Sequence, residues 1–198
     1  MFLPRRGSML TMKKKAAARL DALLQQGITQ HRQGRLAEAG TIYRQALQLE
    51  PDHVPSRQLL AALCQQQGRL DEAVLHLKAA VAVEPRNSDL LNDLGRAELQ
   101  LRHYEAAAAT FERAIACKPD QGVVHFNRGI ALIELKRFEE ALACYDRAIA
   151  LKVENASGYY NRGNALHALK RHAEAIASFD AAIRMLAVRP STGSNWVL

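Results

Sequence analysis

Pro51, Pro85 and Pro119 stand 34 residues apart, and this spacing is the first sign that one short unit is copied along the chain. A 34-residue frame begun at Leu20 aligns four further columns. The eighth place reads Gly27, Ala61, Gly95, Gly129 and Gly163, and the twentieth reads Ala39, Ala73, Ala107, Ala141 and Ala175. The twenty-fourth reads Tyr43, Leu77, Phe111, Tyr145 and Phe179, and the twenty-seventh reads Ala46, Ala80, Ala114, Ala148 and Ala182. Three columns are small in every copy and one is large and apolar, a pattern that composition alone does not produce. Such a period marks an array in which each unit buries its apolar face only against its neighbours.

The unit is helical. All six prolines fall at the edges of apolar segments, which leaves long stretches free of helix breakers. Of the 198 residues 48% are hydrophobic but only 6% are aromatic; alanine is abundant and β-branched runs are scarce, which favours helices over strands. Each copy therefore reads as two antiparallel helices. The small residue at the eighth place of the first helix faces the alanines at the twentieth and twenty-seventh of the second, so the two can approach closely. The twenty-fourth place shares the face of those alanines, and its large side chain fills the space they leave. Gln33-Gly34-Arg35 and Gln67-Gly68-Arg69 mark turns between helices, while Glu50-Pro51-Asp52 and Lys118-Pro119-Asp120 separate units. Pro55 fits the first turn of a helix, where its missing N–H costs little.

This unit resembles the tetratricopeptide repeat. The resemblance covers residues 20–187 as five copies, 20–53, 54–87, 88–121, 122–155 and 156–187. It implies an all-α fold, a right-handed α-solenoid of five antiparallel helical hairpins. Two departures concern the packing of the ends. The eleventh place, often aromatic in the family, holds Gln30, Cys64, Glu98, Leu132 and Leu166, and the closing proline is replaced by Val153 and Ala187. Residues 1–19 form a basic leader, expected to lack fixed structure before it runs into the first helix, with Met9 and Met12 as alternative starts. Residues 188–198 are expected to be a disordered tail.

Charge excludes several partners. The net charge is +7, but Arg5, Arg6, Lys13, Lys14, Lys15 and Arg19 supply six positive charges in a leader without acids, leaving 21 bases against 20 acids elsewhere. A neutral body lacks the electrostatic footprint of a nucleic-acid binder. No segment approaches the ~20 consecutive apolar residues that span a membrane, and the leader has no apolar stretch of signal-peptide length. Cys64, Cys117 and Cys144 are odd in number and widely spaced, which suits small core residues in a reducing compartment; a cytoplasmic location is expected.

The chain offers nothing to carry catalysis. His31, His53, His76, His103, His125, His167 and His172 form no i, i+4 ligand pair, so no metal site is expected. Glu139 and Glu140 open a helix, where negative charge suits the dipole. No nucleophile elbow, P-loop or dinucleotide fingerprint occurs, so neither catalytic residues nor a cofactor are expected.

The resemblance places function on the concave face, lined by the first helix of each unit. Places two, five, six, nine, twelve and thirteen form a stripe roughly opposite the packed places four, seven, eight and eleven. Asn92 and Arg96 lie on it in the third copy, Phe126, Asn127, Ile130 and Ile133 in the fourth, and Tyr160, Asn161 and Asn164 in the fifth. A carboxamide both donates and accepts, so a ladder of them can grip the backbone of an extended peptide. Beside the ladder, Phe126, Ile130, Ile133 and Tyr160 make an apolar cluster on a face that should meet solvent, as a docking surface does. The stripe carries Arg32 and Arg96 against Asp21, Asp89, Asp93 and Glu134. It therefore differs from the Lys/Arg clamp that some family members use for acidic tails, and suits a neutral or basic protein or peptide with apolar anchors.

The expected function is thus a protein–protein interaction scaffold. An alternative comes from Asn127-Arg128-Gly129 and Asn161-Arg162-Gly163, each followed by Ala-Leu-x-x-Leu-Lys-Arg. These words resemble repeats that precede the catalytic half of protein O-linked N-acetylglucosaminyltransferases, which implies a substrate-holding region lacking its catalytic domain. At the C-terminal end Ile176, Phe179, Ile183 and Leu186 follow helical spacing with only a Pro/Ser/Gly-containing tail beyond them. An apolar end face left open there favours a homodimer; a folded-back tail carrying Trp196 and fraying of the end are the alternatives.

Overall fold

The computed structural model describes residues 6–152 and 156–187, and among them it contains ten α-helices and no strand. The expectations for Val153, Trp196 and the rest of residues 188–198 lie outside the described residues. The contacts divide the chain into two compact units, residues 1–101 and 102–198. The first unit holds α1 (Arg6–Arg32), α2 (Leu36–Leu49), α3 (Val54–Gln66), α4 (Leu70–Val83) and α5 (Ser88–Gln100). The second holds α6 (Tyr104–Cys117), α7 (Gly122–Glu134), α8 (Phe138–Ala150), α9 (Ala156–Ala168) and α10 (His172–Ala187). In the first unit α1 pairs with α2, α3 with α4, and α2 and α4 pack on the helices that follow them. In the second, α7 pairs with α8 and α9 with α10, with α6 against α7 and α8 against α9.

The helix boundaries repeat with the sequence frame. α3, α5, α7 and α9 begin at the first place of their copies, and α2, α4, α6, α8 and α10 all begin at the seventeenth. α1 starts at Arg6, ahead of the frame, so the basic leader is continuous with the first helix from that residue onward. His53 caps α3 by accepting from the Ser56 amide at 3.3 Å, with Pro55 in the first turn; Asn87 caps α5 by accepting from the amides of Asp89 and Leu90.

The turn inside the hairpin is also the same in the first, second, fourth and fifth copies. The Arg35 amide donates to Gln30 O and the Gly34 amide to His31 O; Arg69 and Gly68, Arg137 and Lys136, and Arg171 and Lys170 repeat this pair of bonds. This is the Schellman closure, which needs a left-handed residue at the fifteenth place. Gly34 and Gly68 supply it at φ 76° and 73°, but Arg102, Lys136 and Lys170 adopt φ 60°, 59° and 61° with side chains attached.

Close approach of the helices rests on the eighth and twenty-fourth places. A Cβ placed on Gly27 would stand 2.5 Å from Tyr43 Cε1, on Gly129 2.6 Å from Tyr145 Cε1, and on Gly163 2.5 Å from Phe179 Cε1. The aromatic ring thus lies directly over the glycine backbone. In the second copy Ala61 replaces the glycine and the smaller Leu77 replaces the ring, and both are buried. The alanines at the twentieth and twenty-seventh places are buried in every copy.

The first helix buries a wider arc than the stripe at places four, seven, eight and eleven. The third and tenth places, Ser56 and Leu63, Leu90 and Ala97, Val124 and Ala131, and Gly158 and Ala165, are buried as well. α3, α7 and α9 each touch both their own partner and the second helix of the preceding copy, and α5 packs on α4 of the copy before it. In the first copy no earlier hairpin is present among the described residues, and the equivalent Ala22 and Thr29 are exposed.

Candidate functional site

Every residue of the expected stripe in the second to fifth copies is half-buried or exposed, so the packed arc leaves this side of each first helix open. The stripe differs in character between the two units. In the first, polar side chains link successive helices. His31 Nε2 lies 2.8 Å from Gln66 Oε1, and one copy later Gln65 Nε2 donates to Gln100 Oε1 at 3.3 Å. The twelfth place of one copy thus reaches the thirteenth of the next. The sequence signal was the run of His and Gln at these places. Asn92 is half-buried and already engaged within the chain. Arg96 is exposed, with Nη1 4.0 Å from Asp93 Oδ1. Burial pushes the Asp93 carboxyl above the usual carboxylate range, against the opposing pull of Arg96 and a hydrogen bond from Gln58.

In the second unit the stripe is aromatic and amide-bearing. Phe126 packs on Tyr145 with ring centroids 5.8 Å apart, and Tyr160 packs on Phe179 at 5.7 Å, the same two places in successive copies. Each aromatic is held by the ring that lies on the glycine of its own hairpin. Asn127 and Asn161 follow them at the sixth place, both half-buried, and Asn164 is exposed. Asn127 also interacts within the chain. Ile130 is half-buried. Ile133 is only partly accessible, because it packs against Leu142, Ala165, Leu166 and Ala175 where α9 and α10 meet the fourth hairpin. It belongs as much to that junction as to the apolar cluster with Phe126, Ile130 and Tyr160.

The arginines between each asparagine and glycine have a different role. Arg162 Nε donates to Asp146 Oδ1 and its Nη1 to Ser178 Oγ, each at 2.6 Å. Arg128 Nη2 lies 3.7 Å from Glu112 and 3.9 Å from Glu140, and its Nη1 donates to Cys144 Sγ at 3.6 Å. In both copies the seventh-place arginine joins an acid at the twenty-fifth place of the preceding copy to the second helix of its own. These arginines stitch hairpins together. Burial raises the Cys144 thiol above its ordinary range, so the sulfur next to Arg128 stays protonated at neutral pH.

The last hairpin presents an open face. Leu142 is 7% exposed, whereas Ile176, the same place one copy later, is 61% exposed. Ile183 and Leu186 are equally open, and Phe179 is only half-buried where Tyr145 is fully buried. Between α9 and α10 an apolar cavity of about 390 Å³ is lined by Tyr160, Phe179, Ala182, Ile183 and Leu186 among others. Among the described residues, no group of three or more His, Cys, Asp and Glu side chains could hold a metal, and no helix is long and apolar enough to cross a membrane.

Comparison with known proteins agrees with this geometry. A crystal structure of MamA protein superposes with a TM-score of 0.80 at 20% identity, over 90% of this chain and 98% of that one. A MamA RS-1 double mutant gives 0.82 at 16% identity, covering 87% and 97%, and MamA MSR-1 gives 0.74 at 23%, covering 85% and 97%. At these identities the likeness is one of helical-repeat fold. No curated protein matches the chain, and nothing in these likenesses carries the resemblance to transferase repeats. Tetratricopeptide repeat profiles match residues 61–122 and 126–190, and a further one matches 30–75. With most of its length matched, the chain belongs to the tetratricopeptide repeat family.

Proposed function

We propose that the chain is a protein-interaction scaffold that holds a peptide or protein segment against the exposed stripe of its first helices. The observation that carries this reading is the recurrence of an aromatic–asparagine pair, Phe126-Asn127 and Tyr160-Asn161, at the same places of successive hairpins, with each ring braced from behind. The rings offer apolar anchors of fixed orientation, and the carboxamides offer a donor and an acceptor each to a passing backbone. In the first unit Asn92 and Arg96 stand beside Asp89 and Asp93, so the stripe there has more negative than positive charge. The ligand that fits is neutral or basic, with apolar side chains; nucleic acid and membrane surfaces do not fit a body with balanced charge. The scaffold performs no chemistry and works in the cytoplasm. Its C-terminal face is a second docking surface, for another copy of the chain.

The test is affinity purification from the source cell with an intact stripe and with Asn127→Ala/Asn161→Ala. Each lost hydrogen bond is worth about 0.5–1.5 kcal/mol, so capture should weaken ~5- to 100-fold with an unchanged melting curve. Equal capture by the double variant would reduce the asparagines to solvated polar residues.

A further inference from the structure

Asp180 occupies the twenty-fifth place of the last copy, the place at which Glu112 receives Arg128 and Asp146 receives Arg162. Among the described residues no salt bridge reaches Asp180. Around it lie Ile176, Ile183 and Leu186, each more than 60% exposed. The end face therefore repeats the surface that an inner copy presents to the following helix: an apolar strip beside a carboxylate that takes an arginine. Its occupant should be a helix that brings both an apolar face and a guanidinium.

Resting on the self-association reading, we propose that this occupant is α10 of a second copy, paired antiparallel across a two-fold axis. Arg184 lies one turn from Asp180 on the same side of α10, so the face carries one charge of each sign and complements itself. A dyad between the two residues sets each Asp180 opposite Arg184 of the partner subunit. It places Ile183 near the centre of the contact and brings an apolar side chain of the partner to the mouth of the cavity at Tyr160 and Phe179. Stacking onto α1 of another copy offers less: the seventh place there is Gln26 and the outward third and tenth places are Ala22 and Thr29. A head-to-tail contact would lack both the arginine and the apolar strip.

Charge reversal tests the geometry on the full chain. Light scattering across a concentration series should show a dimer that dissociates on dilution. Asp180→Arg places like charges opposite each other twice and should weaken the dimer about tenfold or more. Asp180→Arg/Arg184→Asp restores both pairs and should recover the dimer, with circular-dichroism melts confirming that every variant is folded. A dimer indifferent to the single reversal, or not recovered by the double one, overturns the α10 pairing but leaves self-association standing. Growth beyond the dimer also overturns it, in favour of head-to-tail stacking. A strict monomer overturns both readings, and quenched Trp196 fluorescence in that monomer identifies the chain's own C-terminal residues as the cover.

Discussion

Tyr145 lies on the backbone of Gly129 so closely that a methyl group at that position would stand 2.6 Å from the ring. Tyr145 is itself buried and also packs against Phe126, so it has little room to yield. Gly129→Ala should therefore destabilise the second unit by about 1–3 kcal/mol from overpacking, partly offset by up to ~1 kcal/mol of better helix propensity. Gly163→Ala meets Phe179, which is only half-buried and can swing toward the open cavity, so its loss should be smaller. Thermal melts of the two variants would rank them, and equal losses would show that Phe179 is held as firmly as Tyr145.

The left-handed turns make an opposite prediction. Lys136 and Lys170 take φ values near 60° with a Cβ attached, where Gly34 and Gly68 adopt the same conformation without one. Lys136→Gly and Lys170→Gly should each stabilise by about 0.5–1 kcal/mol, because relief of strain exceeds the extra entropy of an unfolded glycine. Gly68→Lys should cost a similar amount. Urea titration of the three variants gives the signs directly.

Arg162 joins two hairpins through Asp146 and Ser178. Arg162 is largely buried and Asp146 half-exposed, so solvent weakens the pair, and a double-mutant cycle between them should return a coupling of about 0.5–1 kcal/mol. Arg162→Ala alone should cost more, since it also leaves the buried Ser178 hydroxyl with one partner fewer. No coupling in the cycle would mean that Ser178 and packing hold the joint.

His76 gives the first unit a pH dependence. Burial, helped by the positive charges of Arg57, Arg44 and Arg69 and opposed by Glu72, lowers its pKa below the ordinary 6.5. The unfolded chain then binds a proton more readily than the folded one. Stability is complete above pH ~6.5 and falls as the pH drops through that value toward the folded pKa. The melting temperature should decline between pH 7.5 and 5.5, and His76→Gln should flatten part of that decline. An identical slope in the variant would assign the effect to other groups.

Much of this architecture was legible in the spacing of a few residues. The columns at the eighth, twentieth, twenty-fourth and twenty-seventh places identified the hairpins and which faces meet, because one contact recurs wherever those residues do. The third and tenth places were missed. Their burial comes from the preceding copy rather than from the hairpin itself, and the periodicity of a single helix does not separate two contact directions. The column was nonetheless present: Leu63, Ala97, Ala131 and Ala165 are apolar where the exposed Thr29 of the first copy is polar. The exposed stripe was legible for the same geometrical reason. What it did not disclose was Ile133 turning into the next junction, or His31 and Gln65 reaching across to the first helix of the following copy, since both depend on how consecutive copies align.

The arginine joint bears on how such a chain can lengthen. The fourth copy receives from the third through Arg128 and gives to the fifth through Asp146, so it carries both halves of the connection. A tandem duplication of residues 122–155 would supply each new boundary with a matching acid and base. The second copy has Leu60 at the arginine's place, so a duplicate of residues 54–87 would meet its neighbour without that bond. Unequal recombination in the C-terminal half would therefore yield folded descendants more readily than the same event near the N-terminus.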